Sequence, residues 1–370
     1  MARQVRQVKL DDRDVEALVL GGAVLGGGGG DEIEDGRERI AQARQMGPVK
    51  ICQLDQLDPT ALLLTVSRVG ALGVEGAFQA PAHQVRAVKL MLDHAGLPIQ
   101  GLIASEVGGG AVAHGWLAGA ALNLPVVDAP CNGRAHPTGA MGSMGLTQKE
   151  GYVSLQAAVG GDPGQGEYIE TFVKGQLAAV ARLIRLASVL AGGSVAVARN
   201  PVPASYVREH GAPGALRQAM EVGQAILASQ PQGPEAVVRA TAQALGGEVV
   251  ERGRVEEKGL EVRGGFGVGR LIVAREGLGG RCELTFWNEY MTLERDGERV
   301  ATFPDLIATL SLDTGLAVGT GRVRVGDRVA VLCAPKENLI LGAGMRDPQL
   351  FQDVEEAIGR EVVRYAFGSL

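Results

Sequence analysis

The residues between positions 128 and 136 combine more reactive side-chain types than any other short stretch of the sequence. A carboxylate, a thiol, an amide, a guanidinium and an imidazole occur there, at Asp128, Cys131, Asn132, Arg134 and His136. Pro130 within this segment and Pro137 directly after it restrict the backbone, so this loop is stiff. Packing alone does not explain such a composition, and we interpret the segment as a candidate catalytic site.

Two kinds of chemistry fit this loop. Cys131 would act as a nucleophile if a neighbouring cationic side chain lowered the pKa of its thiol. Alternatively, Asp128, Cys131 and His136 would bind a divalent metal together with Glu106 or His114, although their spacing matches no standard zinc motif. A buried structural cysteine and a hydrogen-bonded histidine are the simpler alternatives for the single residues.

A run of glycines precedes an acidic segment near the N-terminus. Gly27, Gly28, Gly29 and Gly30, which we name the glycine loop, are followed by Asp31, and such a backbone can approach a ligand closely. No Gly-Lys-Ser/Thr follows, which excludes a P-loop, and the four acids between positions 31 and 35 disfavour phosphate at the helix N-terminus. We predict a loop that binds a neutral or weakly anionic molecule, and a tight packing turn is the alternative.

A second glycine turn follows a single carboxylate. Glu106 comes directly after a predicted strand and precedes Gly108 and Gly109. Open α/β sheets place their ligand sites at the carboxyl ends of strands, which makes Glu106 a candidate catalytic carboxylate. A helix-capping or surface glutamate is an equally simple interpretation.

Helices and strands alternate in the first half of the sequence. Apolar spacing predicts helices that begin at Asp11 or Asp12 and at Asp31, and further helices over residues 84–95 and 114–122. Strands are predicted over residues 49–54, 61–67, 99–105 and 124–128. This order is typical of a parallel or mixed sheet that is covered by helices on both faces.

The pattern changes after a glycine-rich break near residue 160. We predict a long helix over residues 168–190, a strand over 194–198 and a helix over 215–230. From residue 248 onward, β-branched residues between glycine turns indicate strands, and a final helix is predicted over 349–365. We therefore expect a glycine-rich α/β domain over residues 1–165, followed over 166–370 by a helical connector and a smaller β-rich domain.

The composition restricts the class of protein. The 370 residues are enough for two domains, and 36 basic against 42 acidic residues give a net charge of −6, which disfavours nucleic-acid binding. The four cysteines form no CxxC pair and do not indicate a disulfide framework. Residues 107–127 carry no formal charge, but their glycines and proline favour a buried turn and helix over a membrane span. No signal peptide is recognised, so we expect a cytoplasmic protein.

Taken together, the ordered motifs resemble those of the S-methyl-thiohydantoin desulfurase-like proteins, which occur near hydantoinase- and oxoprolinase-type enzymes. The matching segments are residues 20–31, 106–109, 124–129, 133–135 with Pro137, 287–290 and 303–307. The resemblance implies a three-layer α/β/α domain followed by a β-barrel-like domain. It also implies a five-membered, hydantoin-like substrate and hydrolytic removal of a methylthio group.

The implied chemistry needs a base, an acid and a group that stabilises developing charge. If the family chemistry holds, Asp128 or Glu106 would be the base, His136 the general acid and Arg134 the charge stabiliser. Cys131 would be a covalent nucleophile or a specificity residue. Backbone amides of the glycine loop would bind the ring carbonyl.

The rest of the implied binding site lies in the glycine turns and the polar loop. Asp31, Gly108, Gly109 and Asn132 complete the predicted substrate-binding set. Three residues depart from the family pattern, which commonly has Asp, Gly and Phe at the positions of Pro130, Cys131 and His136. These departures fall inside the predicted site, so the substrate can differ from that of the family.

Two other functions are compatible with the same residues. The chain would be a non-catalytic binding subunit of a hydantoinase- or oxoprolinase-type complex, or a metal-dependent cyclic-amide hydrolase. We expect no cofactor, with a divalent metal as the alternative, and neither a nucleic acid nor a membrane as a partner. A homodimer is expected only because it is the commonest assembly.

Overall fold

The computed structural model describes residues 10–70, 78–275 and 280–368. These residues form two seven-stranded sheets with helices packed around them, which confirms a mixed α/β fold. The helices are α1 (Asp12–Leu25), α2 (Ile33–Met46), α3 (Pro81–Ala95), α4 (Trp116–Leu122), α5 (Leu177–Leu190), α6 (Ala204–His210), α7 (Ala215–Ser229), α8 (Pro234–Ala244), α9 (Pro348–Ile358) and α10 (Val363–Phe367). The strands are β1 (Ile51–Cys52), β2 (Leu62–Gly70), β3 (Ile99–Ala104), β4 (Val126–Val127), β5 (Ser154–Gly160), β6 (Ile169–Gly175), β7 (Ser194–Pro203), β8 (Glu248–Arg263), β9 (Phe266–Arg275), β10 (Arg281–Trp287), β11 (Glu289–Arg295), β12 (Glu298–Thr302), β13 (Leu306–Ser311) and β14 (Arg328–Ala334).

The first sheet is mixed, with the strand order β1-β4-β3-β2-β7-β5-β6. Strands β1 to β4 are parallel to one another, whereas β7 is antiparallel to both β2 and β5. The late strand β7 therefore occupies an inner position between two earlier strands. Arg199 and Asn200, two polar residues of β7, are buried as a result.

Helices α3 and α5 lie against opposite faces of the first sheet. On β5, Ala157 and Val159 pack toward α3, whereas the intervening Ala158 packs toward α5. Neighbouring β7 shows the same alternation, since successive side chains of a strand point to opposite faces. Strands β5 and β7 are thus buried on both sides, as their apolar side chains require.

The second sheet is antiparallel throughout, with the strand order β12-β11-β10-β9-β8-β14-β13. It curls so that β11 and β12 approach β13 near the opposite edge. Its enclosed core contains Phe286, Tyr290 and Leu293 together with residues of β9 and β14. Asn288 and Glu289, at the turn between β10 and β11, line a cavity together with residues of the first sheet.

Helices α1 and α7 pack against each other so closely that their backbones are in contact. A Cβ added at Gly21 would lie 1.7 Å from the carbonyl oxygen of Ala219, and one added at Gly223 would lie 1.7 Å from that of Ala17. Only glycine permits such an approach. Asp11 caps α1 through the backbone N–H of Asp14, which confirms the predicted start of this helix.

Two predictions of helices were wrong. The helix predicted over 168–190 is a strand, β6, followed by α5, because β-branched Ile169, Thr171 and Val173 alternate with other residues and pair with β5. The helix predicted over 349–365 is two helices, since Gly359 adopts a left-handed conformation (φ 65°) and ends α9.

The uncharged stretch 107–127 is a set of short buried elements. It contains a 3₁₀ turn over Ala111–Ala113, α4 and β4, and most of its side chains are buried. Among the helices of the described residues, none combines the length and hydropathy that a membrane crossing requires.

Candidate active site

A cavity of about 50 Å³ lies where the first sheet, α5 and the β10–β11 turn meet. Its ionisable lining residues are Asp31, Arg68, Glu106, His114, His136, Arg185, Arg199 and Glu289. They come from segments that are far apart in the sequence. The fold therefore assembles a strongly polar cavity at the junction of the two sheets.

Glu106 lies in this cavity just after β3, where the sequence predicts a catalytic carboxylate. Its Oε2 accepts a hydrogen bond from the backbone N–H of His136 at 3.3 Å and lies 3.5 Å from the Nε2 of the same residue. Burial, and then the negative charge of Asp31, raise the pKa of the Glu106 carboxyl to about 8. Glu106 therefore holds a proton through much of the neutral range.

Glu289 is a further carboxyl of the cavity, beside Glu106 and Asp31. It is the first residue of β11 and is buried, and its Oε2 has no hydrogen-bond partner in the described structure. Burial, and then the charge of Glu106, raise the pKa of Glu289 well above its usual range. Two carboxyls that repel each other in this way do not both ionise at neutral pH, so the pair retains at least one proton.

His136 lies beside Glu106 as a neutral imidazole. Its Nε2 is 3.3 Å from the carbonyl oxygen of Ser105. Burial, and then the positive charge of Arg199, lower the pKa of His136 to about 4. At neutral pH its ring has no spare proton to donate as an imidazolium.

Asp31 is ionised and fully paired at the edge of the cavity. Its carboxylate accepts hydrogen bonds of 2.5 Å from both Arg39 and Arg68, and His114 Nε2 lies 3.5 Å away. Burial opposes ionisation, but the two guanidinium groups outweigh it and hold the pKa of Asp31 well below its usual range. Asp31 therefore fixes the end of the glycine loop.

Arg185 closes one side of the cavity. Its guanidinium donates to the carbonyl oxygens of Gly70 at 2.9 Å, Gly265 at 3.0 Å and Pro137 at 3.3 Å. It also lies over the ring of Phe266, 3.9 Å from its centre. These contacts connect α5 to both sheets and leave few of its donors free for a ligand.

Asp128 does not line this cavity. Its Oδ1 accepts the backbone N–H of Leu216 at 2.9 Å, in the first turn of α7, and its Oδ2 lies 3.5 Å from the side-chain amide of Gln53. The carboxylate thus caps a helix, which is a structural use of the residue.

Cys131 is buried in the apolar core behind the cavity. Its Sγ lies 3.2 Å from the hydroxyl of Thr65, and burial raises the pKa of its thiol to about 11. The thiol is therefore protonated at neutral pH. Within residues 10–70, 78–275 and 280–368, no three His, Cys, Asp or Glu side chains are arranged to hold a metal, so the alternative set Asp128, Cys131 and His136 is not brought together.

Arg134 and Asn132 connect segments of the protein rather than lining the cavity. Arg134 donates to the carbonyl oxygen of Pro304 at 3.0 Å and lies over the ring of Phe303, 4.5 Å from its centre. Asn132 donates to the carbonyl oxygen of Arg134 and accepts from the backbone N–H of Gly342. Burial lowers the pKa of Arg134 to about 10, so it is charged at neutral pH.

The glycine loop is packed against the second sheet. The carbonyl oxygen of Gly27 accepts from the backbone N–H of Tyr290, and that of Gly28 accepts from Thr320. The N–H of Gly27 donates to the carbonyl oxygen of Val24 in α1, and the N–H of Gly29 donates to that of Gly26. Of the four glycines, Gly30 is the one that lines the cavity.

Gly108 and Gly109 pack against the end of the glycine loop. A Cβ added at Gly108 would lie 2.4 Å from the Cα of Gly30, and one added at Gly109 would lie 2.9 Å from the carbonyl oxygen of Asp31. Their lack of side chains lets the Glu106 turn approach the glycine loop. Both glycines therefore position Glu106 and Asp31.

The structure brings Glu106, His136, Asp31 and Gly30 of the predicted set to one cavity. Glu289 and Arg199 were missed by the sequence reasoning. The sequence 287–290 was recognised as a family motif, and that was the available signal for Glu289. Arg199 lies in a strand without a recognisable motif.

Two domain models of one protein family match most of the chain. Residues 13–164 match the family model described as "S-Me-THD-like, N-terminal domain", and residues 176–345 match "S-Me-THD-like, C-terminal domain". A protein from Chromobacterium violaceum, whose crystal structure was determined by a structural genomics consortium, is similar in fold, with a TM-score of 0.69 and 20% identity over 94% of this chain and 95% of that chain. Comparison with curated proteins gave no match. The two family matches show that this chain belongs to the S-Me-THD-like family.

Proposed function

We propose that this protein removes the methylthio group from an S-methyl-thiohydantoin, or a related five-membered cyclic amidine, by hydrolysis. The observation that carries the proposal is the pair of buried carboxyls, Glu106 and Glu289, in one polar cavity. A thiohydantoin-related activity also agrees with the family name. The two carboxyls would supply the acid and the base that the reaction needs.

In the first step, water adds to the ring carbon of the C=N bond. Ionised Glu106 removes a proton from the water as its oxygen bonds to that carbon. The ring nitrogen takes a proton from Glu289 as the C=N bond becomes a single bond. This step gives a tetrahedral carbon that carries both a hydroxyl and the methylthio group.

In the second step, the carbon–sulfur bond breaks. Glu106 returns its proton to the sulfur, and methanethiol leaves. The hydroxyl proton passes to Glu289 as the ring carbonyl forms. Both carboxyls then regain their starting protonation states, and the net reaction consumes one water.

The proposal assigns the acid to Glu289 because His136 is uncharged at neutral pH. His136 would instead orient Glu106 through its backbone N–H and its ring. Since the base must be ionised and the pKa of Glu106 is raised to about 8, we expect thiol release to increase from pH 6 to pH 8.

The test is colorimetric measurement of thiol release from a panel of S-methyl-thiohydantoins, with and without a chelator. We expect Glu106→Gln and Glu289→Gln to lower turnover by about 10²-fold or more, as is usual for an acid–base group. Glu32→Gln is the matched control, because Glu32 is a partly buried carboxyl near the glycine loop that does not line the cavity.

Two results would overturn the proposal. One is the absence of thiol release from every methylthio ring in the panel. The other is a wild-type rate in Glu289→Gln, which would mean that the second carboxyl transfers no proton. Loss of activity on chelation would replace the carboxyl mechanism by a metal-dependent one.

A further inference from the structure

Arg199 is a buried cation that the described residues leave unpaired. It lies on β7 inside the first sheet and is 3% exposed. Among the hydrogen bonds and ion pairs of residues 10–70, 78–275 and 280–368, none involves its guanidinium, and its Nε is buried without a partner. An isolated charge is expensive to bury, so such a group is typical of a site that a ligand completes.

The guanidinium faces both the inner cavity and a second, larger space. A groove of about 490 Å³ adjoins the cavity, and Arg199, Arg185 and Thr138 line both. The groove has an apolar wall formed by Ile184, Phe266 and Trp287. Arg199 therefore lies where a ring held in the inner cavity would extend its substituent outward.

The neighbouring charges do not neutralise Arg199. Glu106 lies close enough to interact with it through space, but that carboxyl is bound by His136 and makes no hydrogen bond to the guanidinium. Arg185 differs, because its guanidinium donates three hydrogen bonds to backbone carbonyl oxygens. Of the three arginines that line the inner cavity in the described structure, Arg68 and Arg185 donate hydrogen bonds, and Arg199 makes none through its guanidinium.

We propose that the substrate ring carries a carboxylate on its substituent and that Arg199 binds this carboxylate. The inference rests on the proposed function for the identity of the ring. A planar guanidinium matches a carboxylate through two parallel hydrogen bonds. A neutral ring carbonyl would leave the charge of Arg199 uncompensated, whereas a single carboxylate neutralises it.

The decisive substrates are a methylthio ring with a carboxylate-bearing substituent and the same ring with the carboxylate converted to its primary amide. We expect the wild type to prefer the acid by about 10- to 100-fold in kcat/KM, as for a buried hydrogen bond to a charged group. Arg199→Met should lower kcat/KM for the acid to the level of the amide. Arg239→Met, an exposed arginine on α8, is the control and should keep the preference.

Arg199→Lys guards against misinterpretation of a variant that fails to fold. It retains the charge and should keep part of the preference for the acid, since the fork geometry is lost but the cation is not. Equal kcat/KM for the acid and the amide in the wild type would overturn the inference. So would an equal loss for both substrates in Arg199→Met, which would place the guanidinium on the ring itself.

A binding measurement separates this inference from the proposed reaction. The corresponding hydantoin products, with acid or amide substituents, are titrated calorimetrically into wild type and Arg199→Met. Tighter binding of the acid by the wild type alone would support an anion site even if no methylthio ring reacts. Equal binding of the acid and the amide would refute the anion site while leaving thiol release as separate evidence for the reaction.

Discussion

Replacing Glu106 by Gln should change how the stability of the protein depends on pH. The ordinary pKa of a glutamate is 4.5, and in the folded protein burial raises that of Glu106 to about 8. Between these values the folded state holds a proton that the unfolded chain releases. Stability must therefore fall as the pH rises from about 4.5 to about 8, and the loss is complete above pH 8.

The magnitude follows from the two pKa values. A difference from 4.5 to about 8 corresponds to about 5 kcal/mol, at about 1.4 kcal/mol per pH unit. The amide of Glu106→Gln does not titrate and escapes this loss. The variant should therefore gain on the wild type by several kcal/mol between pH 5 and pH 9.

The assay is urea-induced unfolding of both proteins at pH 5, 6, 7, 8 and 9. Glu256→Gln, a substitution of an exposed glutamate on β8, controls for the general effect of removing one negative charge. A stability difference between Glu106→Gln and the wild type that is the same at every pH would refute the reasoning. It would mean that the Glu106 carboxyl ionises as readily in the folded as in the unfolded protein.

Three further substitutions separate structural from catalytic roles. Asp128→Ala should lower the free energy of unfolding by about 1–2 kcal/mol, measured in urea, because the N–H of Leu216 loses its acceptor, while kcat per folded molecule is unchanged. Cys131→Ala should release thiol from substrate at the wild-type kcat, since the Cys131 thiol, with its pKa of about 11, is no nucleophile at neutral pH. Gly29→Ala would place a Cβ 2.1 Å from Glu289 Oε1, which displaces that carboxyl. The variant should fold, as judged by circular dichroism, yet lose thiol release as Glu289→Gln does. A kcat for Asp128→Ala as low as that of Glu106→Gln would contradict the capping role of Asp128. Loss of turnover in Cys131→Ala would mean that the Cys131 thiol takes part in the reaction. A fully active Gly29→Ala would contradict the position assigned to Glu289.

The sequence predicts a helix or a strand correctly where interactions between residues close in the sequence determine it. Asp11 starts α1 because its side chain caps the helix, and the apolar spacing of α3 appears directly in the sequence. The segment that contains β6 was mistaken for a helix because it runs without a break into the Ala- and Leu-rich α5. Its pairing with β5 is a tertiary contact that overrides local preference.

The site was predictable only where a motif marks it. Glu106 is predictable because it follows a strand and precedes a glycine turn, and His136 because it lies in a loop rich in polar side chains. The same loop suggested Asp128, yet a carboxylate that caps a distant helix has the same sequence signature as a catalytic one. Arg199 was missed because the pairing of β7 with β2 and β5, not its sequence neighbours, brings it to the cavity.

The position of β7 affects how the chain folds during its synthesis on the ribosome. Strand β2 ends at Gly70, but β7, which separates it from β5, begins only at Ser194, 124 residues (194 − 70) later. At roughly 5–20 residues per second, the inner edge of β2 stays open for on the order of 10 s after its own synthesis. A fragment that stops at residue 164, where the first family match ends, would keep the edges of both β2 and β5 open permanently. In the nascent chain, the apolar strands β2 and β5 are thus both unpaired on the edge that β7 later occupies. Chains truncated before β7 should therefore aggregate rather than fold.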